Sequence, residues 1–238
     1  MPQIYIEQCI SGGWAALKKH PAEGIVGALI YLVICIGMGL IGLAVPFLDT
    51  AVSLVIAGPL VGGLTCLFLN MVMERNPQIG DVFKGFSRFT EFLIAHVLLN
   101  GCFVPGALMM TLAKVTGSVG LNVFAVLLTL AGLAVYLAFL LPRYGLAFFL
   151  LADTGCSVAE AFKQSEVMTR GCRGSVLGMF VLAGLIAAAG AIACGIGILF
   201  TIPLAGCAVT VMYRTLKHPA AGQDIPTATI VPPQGPAV

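Results

Sequence analysis

The chain has 238 residues, 59% of them hydrophobic and 9% charged, with a mean hydropathy of +1.05 and a formal net charge of +2. Soluble domains carry about 25% charged residues, so this composition excludes a fold with water on all sides. The near-balanced charge has no dense basic run, so no nucleic acid partner is expected. The apolar residues fall in long blocks of the length that crosses a bilayer as a helix. The expected fold class is all-α: a bundle of six transmembrane helices with amphipathic interfacial helices on the cytoplasmic side.

Before the first block lies an amphipathic lead ending in Lys18 and Lys19. No small-x-small cleavage site follows the first block, which reads as a retained helix. The six predicted spans cover residues 24–45, 52–73, 90–112, 119–141, 175–194 and 196–213. The last two are separated only by Gly195, Gly197 and Pro203. A single helix of that combined length would be too long for one crossing at about 1.5 Å per residue, so two helices and a tight turn are predicted.

Charge sets the topology. Placing the second and fourth connections and both ends on the basic side collects 11 of the 12 Lys and Arg residues there. Only Lys114, between spans 3 and 4, falls opposite. By the positive-inside rule the protein is expected in the cytoplasmic membrane with both termini in the cytoplasm.

The inner connections carry the amphipathic segments. From Asp81 to Phe92, Phe83, Phe86, Phe89 and Phe92 recur at steps of three, with Lys84 and Arg88 between them. This spacing suits a helix lying in the interface, rings toward the acyl chains and cations toward the headgroups. Phe83, Lys84, Phe86, Arg88 and Phe89 are the candidate lipid contacts. A plain packing helix beneath the bundle is the alternative. Ser157 and Glu160 have capping-box spacing before a second such helix, with Val158, Ala161, Phe162 and Met168 on one face. The run from Tyr144 to Ala152, after Pro142, is too short to cross again; it either prolongs span 4 or bends along the interface. The chain from Pro219 to Val238 is rich in Pro and Ala and is expected to be a disordered tail.

A polar group at membrane depth is costly and therefore a functional lead. Here these are Asn70, Glu91, His96, Asn100 and Asn122. His96 and Asn100 are four residues apart and share a helix face; with Asn70 they are the candidate polar intramembrane site. No pair of carboxylates, H-E-x-x-H or G-x-S-x-G pattern occurs, so no catalytic, cofactor or metal residues are assigned. The eight cysteines form no C-x-x-C pair and read as small hydrophobes. Pro59, Pro105 and Pro203 sit inside spans, where a freed carbonyl can kink a helix or line a cavity. Gly58-Pro-Leu-Val-Gly in span 2 resembles Ile202-Pro-Leu-Ala-Gly in span 6, and Asp81-Val-Phe-Lys resembles Glu160-Ala-Phe-Lys, which suggests an internal repeat.

The run Glu160-Ala-Phe-Lys-Gln-Ser-Glu-Val-Met-Thr-Arg-Gly, an apolar span, and then Gly-Ile-Gly-Ile-Leu-Phe-Thr-Ile-Pro-Leu at 195–204 form a layout E-A-x-x-x-S-x-x-x-x-x-G plus G-I-G-x-x-x-x-x-P. This resembles poorly characterised bacterial multi-pass membrane families: domain-of-unknown-function types, YciC-like inner-membrane proteins, and the membrane domain beside some glycerophosphodiester phosphodiesterases. The resemblance implies a six-helix bundle in the cytoplasmic membrane and carries over no catalytic residue. The functional expectation is a non-enzymatic membrane protein that binds membrane lipids, a second copy of itself or another membrane protein. Small-solute transport is the alternative.

Overall fold

Long apolar runs satisfy their backbone only as helices in a bilayer, and the computed structural model, which describes residues 5–44, 46–192 and 197–218, is built from helices with no strand among those residues. In chain order these are α1 (Ile6–Lys19), α2 (Pro21–Ala44), α3 (Pro46–Val72), α4 (Lys84–Ser87), α5 (Phe89–Asn100), α6 (Val104–Thr116), α7 (Val119–Val135), α8 (Leu141–Tyr144), α9 (Ala147–Thr154), α10 (Val158–Thr169), α11 (Arg173–Ile192) and α12 (Ile198–Lys217). Six stretches are long and apolar enough to cross a membrane: Pro21–Ile41, Val52–Val72, Phe89–Thr116, Val119–Thr154, Arg173–Ile192 and Ile198–Lys217. The protein is an all-α membrane bundle. The expected end of span 1 at Val45, the junction at 193–196 and the tail from 219 lie outside the described residues.

Two of the six spans form the centre. Val52–Val72 is 56% buried and Ile198–Lys217 50%, whereas the other four are 11–22% buried and present their apolar faces outward. Small residues let neighbours approach these two helices closely. A Cβ on Gly62 would stand 2.5 Å from the Phe92 ring, and one on Gly206 would stand 2.2 Å from Phe68. The two similar Pro-Leu-x-Gly motifs thus both mark close packing in the core. The likeness of Asp81 to Glu160 does not extend to role, since Asp81 is buried and Glu160 exposed.

Helix α1 is the amphipathic lead. It buries Cys9, Gly13, Ala16 and Leu17 and exposes Trp14. Gly13 meets the Ala208 backbone of α12, where an added Cβ would lie 2.7 Å from the amide nitrogen. Lys19 pairs with Glu74 beyond the end of α3. The helix therefore straps α12 to α3 and is part of the bundle.

The third and fourth spans are composite. Span 3 joins α5 to α6 through a single 3-10 turn at Gly101–Phe103, with Pro105 in the first turn of α6, where a missing N–H costs nothing. Span 4 runs from α7 through a π-helical segment, Tyr136–Leu140, into α8 and α9. The stretch after Pro142 is a continuation into the core: Ala147, Phe148, Phe149, Leu150 and Leu151 are all buried. The break at Gly145 frees the Arg143 carbonyl, which accepts from Ser165 Oγ at 2.9 Å and Thr169 Oγ1 at 3.4 Å on α10. This gives α10 its role as a packing helix and accounts for the polar residues on its buried side.

The segment before span 3 is not one continuous interfacial helix. A 3-10 turn at Ile79–Phe83 leads into the one-turn α4, and Arg88 leaves the helical region before α5 begins. Asp81, Val82 and Gly85 are buried against α3. Any Cβ on Gly63 would collide with the Val82 carbonyl oxygen at 1.6 Å, and one on Gly85 with the Pro59 oxygen at 1.9 Å. Phe92, expected on the lipid side, is 1% exposed and stacks on Phe148 with centroids 5.9 Å apart. The step-of-three pattern fails there because the chain turns at Arg88, which resets the helix phase.

Candidate functional site

Between α3, α5, the π segment, α9, α11 and α12 lies a cavity of about 430 Å³. Its walls are mostly apolar, with Phe68, Leu99, Phe148 and Phe180 prominent. His96 and Asn100 both reach it, as their shared face predicts, and Tyr136 and Thr65 complete its polar content. Asn100 Nδ2 donates to His96 Nδ1 at 3.2 Å and to the His96 carbonyl at 3.2 Å. With Nδ1 accepting, the ring proton sits on Nε2, which makes His96 a donor. Thr65 is turned back onto the Val61 carbonyl at 2.8 Å. A π-helical segment at a cavity wall offers local freedom that a regular helix lacks. Gly184 stands exposed at the margin with no atom near its Cβ position, so the cavity opens beside α11.

Asn70 does not join this cavity. It donates to Asp81 Oδ2 at 2.7 Å, at the end of the bundle where the basic residues gather. Asp81 is 1% exposed and also accepts from the Gln78 amide at 3.0 Å and pairs with Lys84 at 2.6 Å. Burial alone would raise its carboxyl; the hydrogen bonds from Lys84, Asn70 and Gln78 outweigh that and hold it below the usual carboxylate range. Arg88 donates to the Leu151 carbonyl and the Cys156 carbonyl, each at 3.0 Å, and pairs with Glu91 at 3.3 Å. Lys84 and Arg88 are thus both engaged by the protein. Phe83, Phe86 and Phe89 remain exposed, with the rings of Phe83 and Phe86 6.4 Å apart. Asn122 is exposed near the start of α7.

A second polar cluster escaped the sequence reading. Asp153, whose side chain is 3% exposed, accepts from Arg75 Nη1 at 2.9 Å and Tyr213 Oη at 3.0 Å and pairs with Lys217. These residues come from the ends of three different spans, so no local spacing signals them. The one available clue was an acid closing an otherwise apolar block at 144–154. Around the cluster is an open pocket of about 490 Å³, lined also by Glu74, Arg214 and His218. No group of His, Cys, Asp and Glu suited to a metal ion occurs among the described residues. The seven described cysteines are free thiols. Burial pushes the Cys9 thiol up to about 11, so it stays protonated at neutral pH.

Helices and cavity together define a six-span membrane bundle with a mostly apolar cavity open at one side and a charged cluster at its basic end. No family model, curated protein or solved structure matches the chain.

Proposed function

We propose that the protein is a non-enzymatic component of the cytoplasmic membrane that holds a membrane lipid, with both termini in the cytoplasm. The observation that carries this reading is the cavity of about 430 Å³, mostly apolar and open beside Gly184. Sites that enclose ligands are concave, mainly apolar and supplied with a few convergent polar groups. An acyl chain suits such walls, and the His96–Asn100 pair offers a hydrogen bond to an ester or hydroxyl. The exposed rings of Phe83, Phe86 and Phe89 supply a second apolar surface beside the basic end.

Small-solute transport is the alternative reading. The hydrogen-bonded pair His96–Asn100 and the π segment at one wall favour it, as polar groups and irregular helices line many pathways.

The test is native mass spectrometry of the full chain purified in mild detergent. Retained lipid that survives delipidation supports the first reading. A lipid-free protein that carries flux in liposomes, lost in His96→Ala with Asn100→Ala, supports the second.

A further inference from the structure

The pocket between the ends of α3, α9 and α12 has a composition distinct from that of the bundle cavity. Three cationic side chains line it, Arg75, Arg214 and Lys217, with the two carboxylates Glu74 and Asp153, and Lys19 pairs with Glu74 from beside it. Glu74 is held by Lys19, and Asp153 accepts from Arg75, Tyr213 and Lys217. A surplus of positive charge remains, part of which offsets the carbonyl ends of α3 and α12. Among the described residues no carboxylate pairs with Arg214, and His218 stands beside it on the pocket wall.

The cations are also positioned. Asp153 is nearly inaccessible and ties Arg75 to Lys217, so two long side chains converge at one point. Arg75 uses Nη1 for that bond and keeps further guanidinium N–H donors. It is flanked by two residues in the left-handed region, Glu74 at φ 55° and Asn76 at φ 47°. A left-handed glutamate is uncommon and carries strain. The pair of them turns the chain sharply, and the Arg75 amide closes the turn on the Asn70 carbonyl at 2.9 Å. The strain brings Arg75 back over the pocket.

From this geometry we infer that the pocket binds a phosphate-bearing anion, supplied by the headgroup of an anionic phospholipid or by a soluble phosphate. Guanidinium forks and ammonium groups around an open, water-reached pocket match phosphate oxygens in charge and in hydrogen-bond direction. Its place at the basic end of a membrane bundle is where headgroups lie. This deepens the lipid reading above and rests on it only for the headgroup source; a soluble phosphate would need no cavity.

The experiment uses the full chain in mild detergent. Native mass spectrometry compares retention of a phosphatidylglycerol with a phosphatidylcholine of the same acyl chains, and thermal unfolding is compared in sodium phosphate and sodium chloride at equal ionic strength. A headgroup site gives preferential retention of phosphatidylglycerol. A soluble-anion site gives stabilisation by phosphate without that preference. In either case Arg214→Gln should weaken the effect roughly five- to tenfold, the size expected for one surface cation near a phosphate, and Arg214→Lys should restore most of it. Equal retention of both lipids with no phosphate response in the wild-type protein overturns the site and leaves the apolar cavity standing. An effect that persists undiminished in Arg214→Gln also overturns it. A phosphate response in a protein that retains no lipid keeps the site and removes the acyl-chain reading.

Discussion

Tyr213 donates its hydroxyl to Asp153 Oδ2 at 3.0 Å, which joins the last turns of the sixth span to the C-terminal end of the fourth. The same Tyr213 ring stacks on Phe149, centroids 5.6 Å apart, and Phe149 lines the bundle cavity. One side chain therefore touches a wall residue of the apolar cavity and one of the charged pocket.

Asp153→Asn should destabilise the protein in detergent by about 2–3 kcal/mol, since it strips charge-assisted partners from Arg75 and Lys217 while leaving an acceptor for Tyr213. Tyr213→Phe should cost less, about 1 kcal/mol, because it removes a single hydrogen bond. Thermal or denaturant unfolding of the two variants checks the order; equal losses would contradict it.

Contact between α3 and the segment 79–88 is backbone against backbone. Gly63→Ala and Gly85→Ala each place a Cβ within 2 Å of a carbonyl oxygen, and each should cost about 3 kcal/mol or more or prevent folding. Gly37→Ala, on a face of α2 with nothing near its Cβ position, should be neutral or stabilising by up to about 1 kcal/mol. Folded yield and melting temperature separate the two groups.

Ser165 and Thr169 share the Arg143 carbonyl. Either Ser165→Ala or Thr169→Val alone should cost about 1 kcal/mol, since the other hydroxyl still satisfies the oxygen. The double variant should lose more than the sum, because a buried acceptor is then left unpaired. Additive losses in a double-mutant cycle would show that the two hydroxyls act independently.

Asp81 gives a pH dependence of defined sign. Its folded-state pKa lies below the ordinary carboxylate value of 3.8, so the ion is favoured by folding. That stability is fully present above the unfolded value and is lost as pH falls through the folded one. The difference in melting temperature between wild type and Asp81→Asn should therefore be constant near neutrality and shrink only below about pH 4. A difference that already shrinks near pH 6 would show the carboxyl raised instead.

Much of the architecture is legible in the residues, and the reasons are physical. Length and charge determine spans and alternation, because a bilayer demands apolar runs of one length and tolerates few charges. The His96–Asn100 pair was legible because helical periodicity alone puts both on one face. Asn70 was legible as polar and at depth, but its partner Asp81 lies 11 residues away across a 3-10 turn, and no periodicity predicts that contact. Phe92 fits the exposed aromatic face in sequence because a step of three continues smoothly through Arg88; the chain breaks there, and Arg88 reaches the Leu151 and Cys156 carbonyls. The Asp153 cluster was illegible for the same reason in stronger form, since Arg75, Asp153 and Lys217 meet only through tertiary packing.

The central claim is that the bundle cavity holds a lipid, and Gly184→Leu tests it most directly. Nothing lies within 4 Å of the Gly184 Cβ position, so the new side chain starts in open space at the cavity margin. Native mass spectrometry of the wild type and this variant, purified identically and matched in melting temperature, should show a lipid retained by the wild type and its retention weakened about tenfold or more in the variant. Equal retention in both, or none in the wild type, would contradict a lipid held in the cavity.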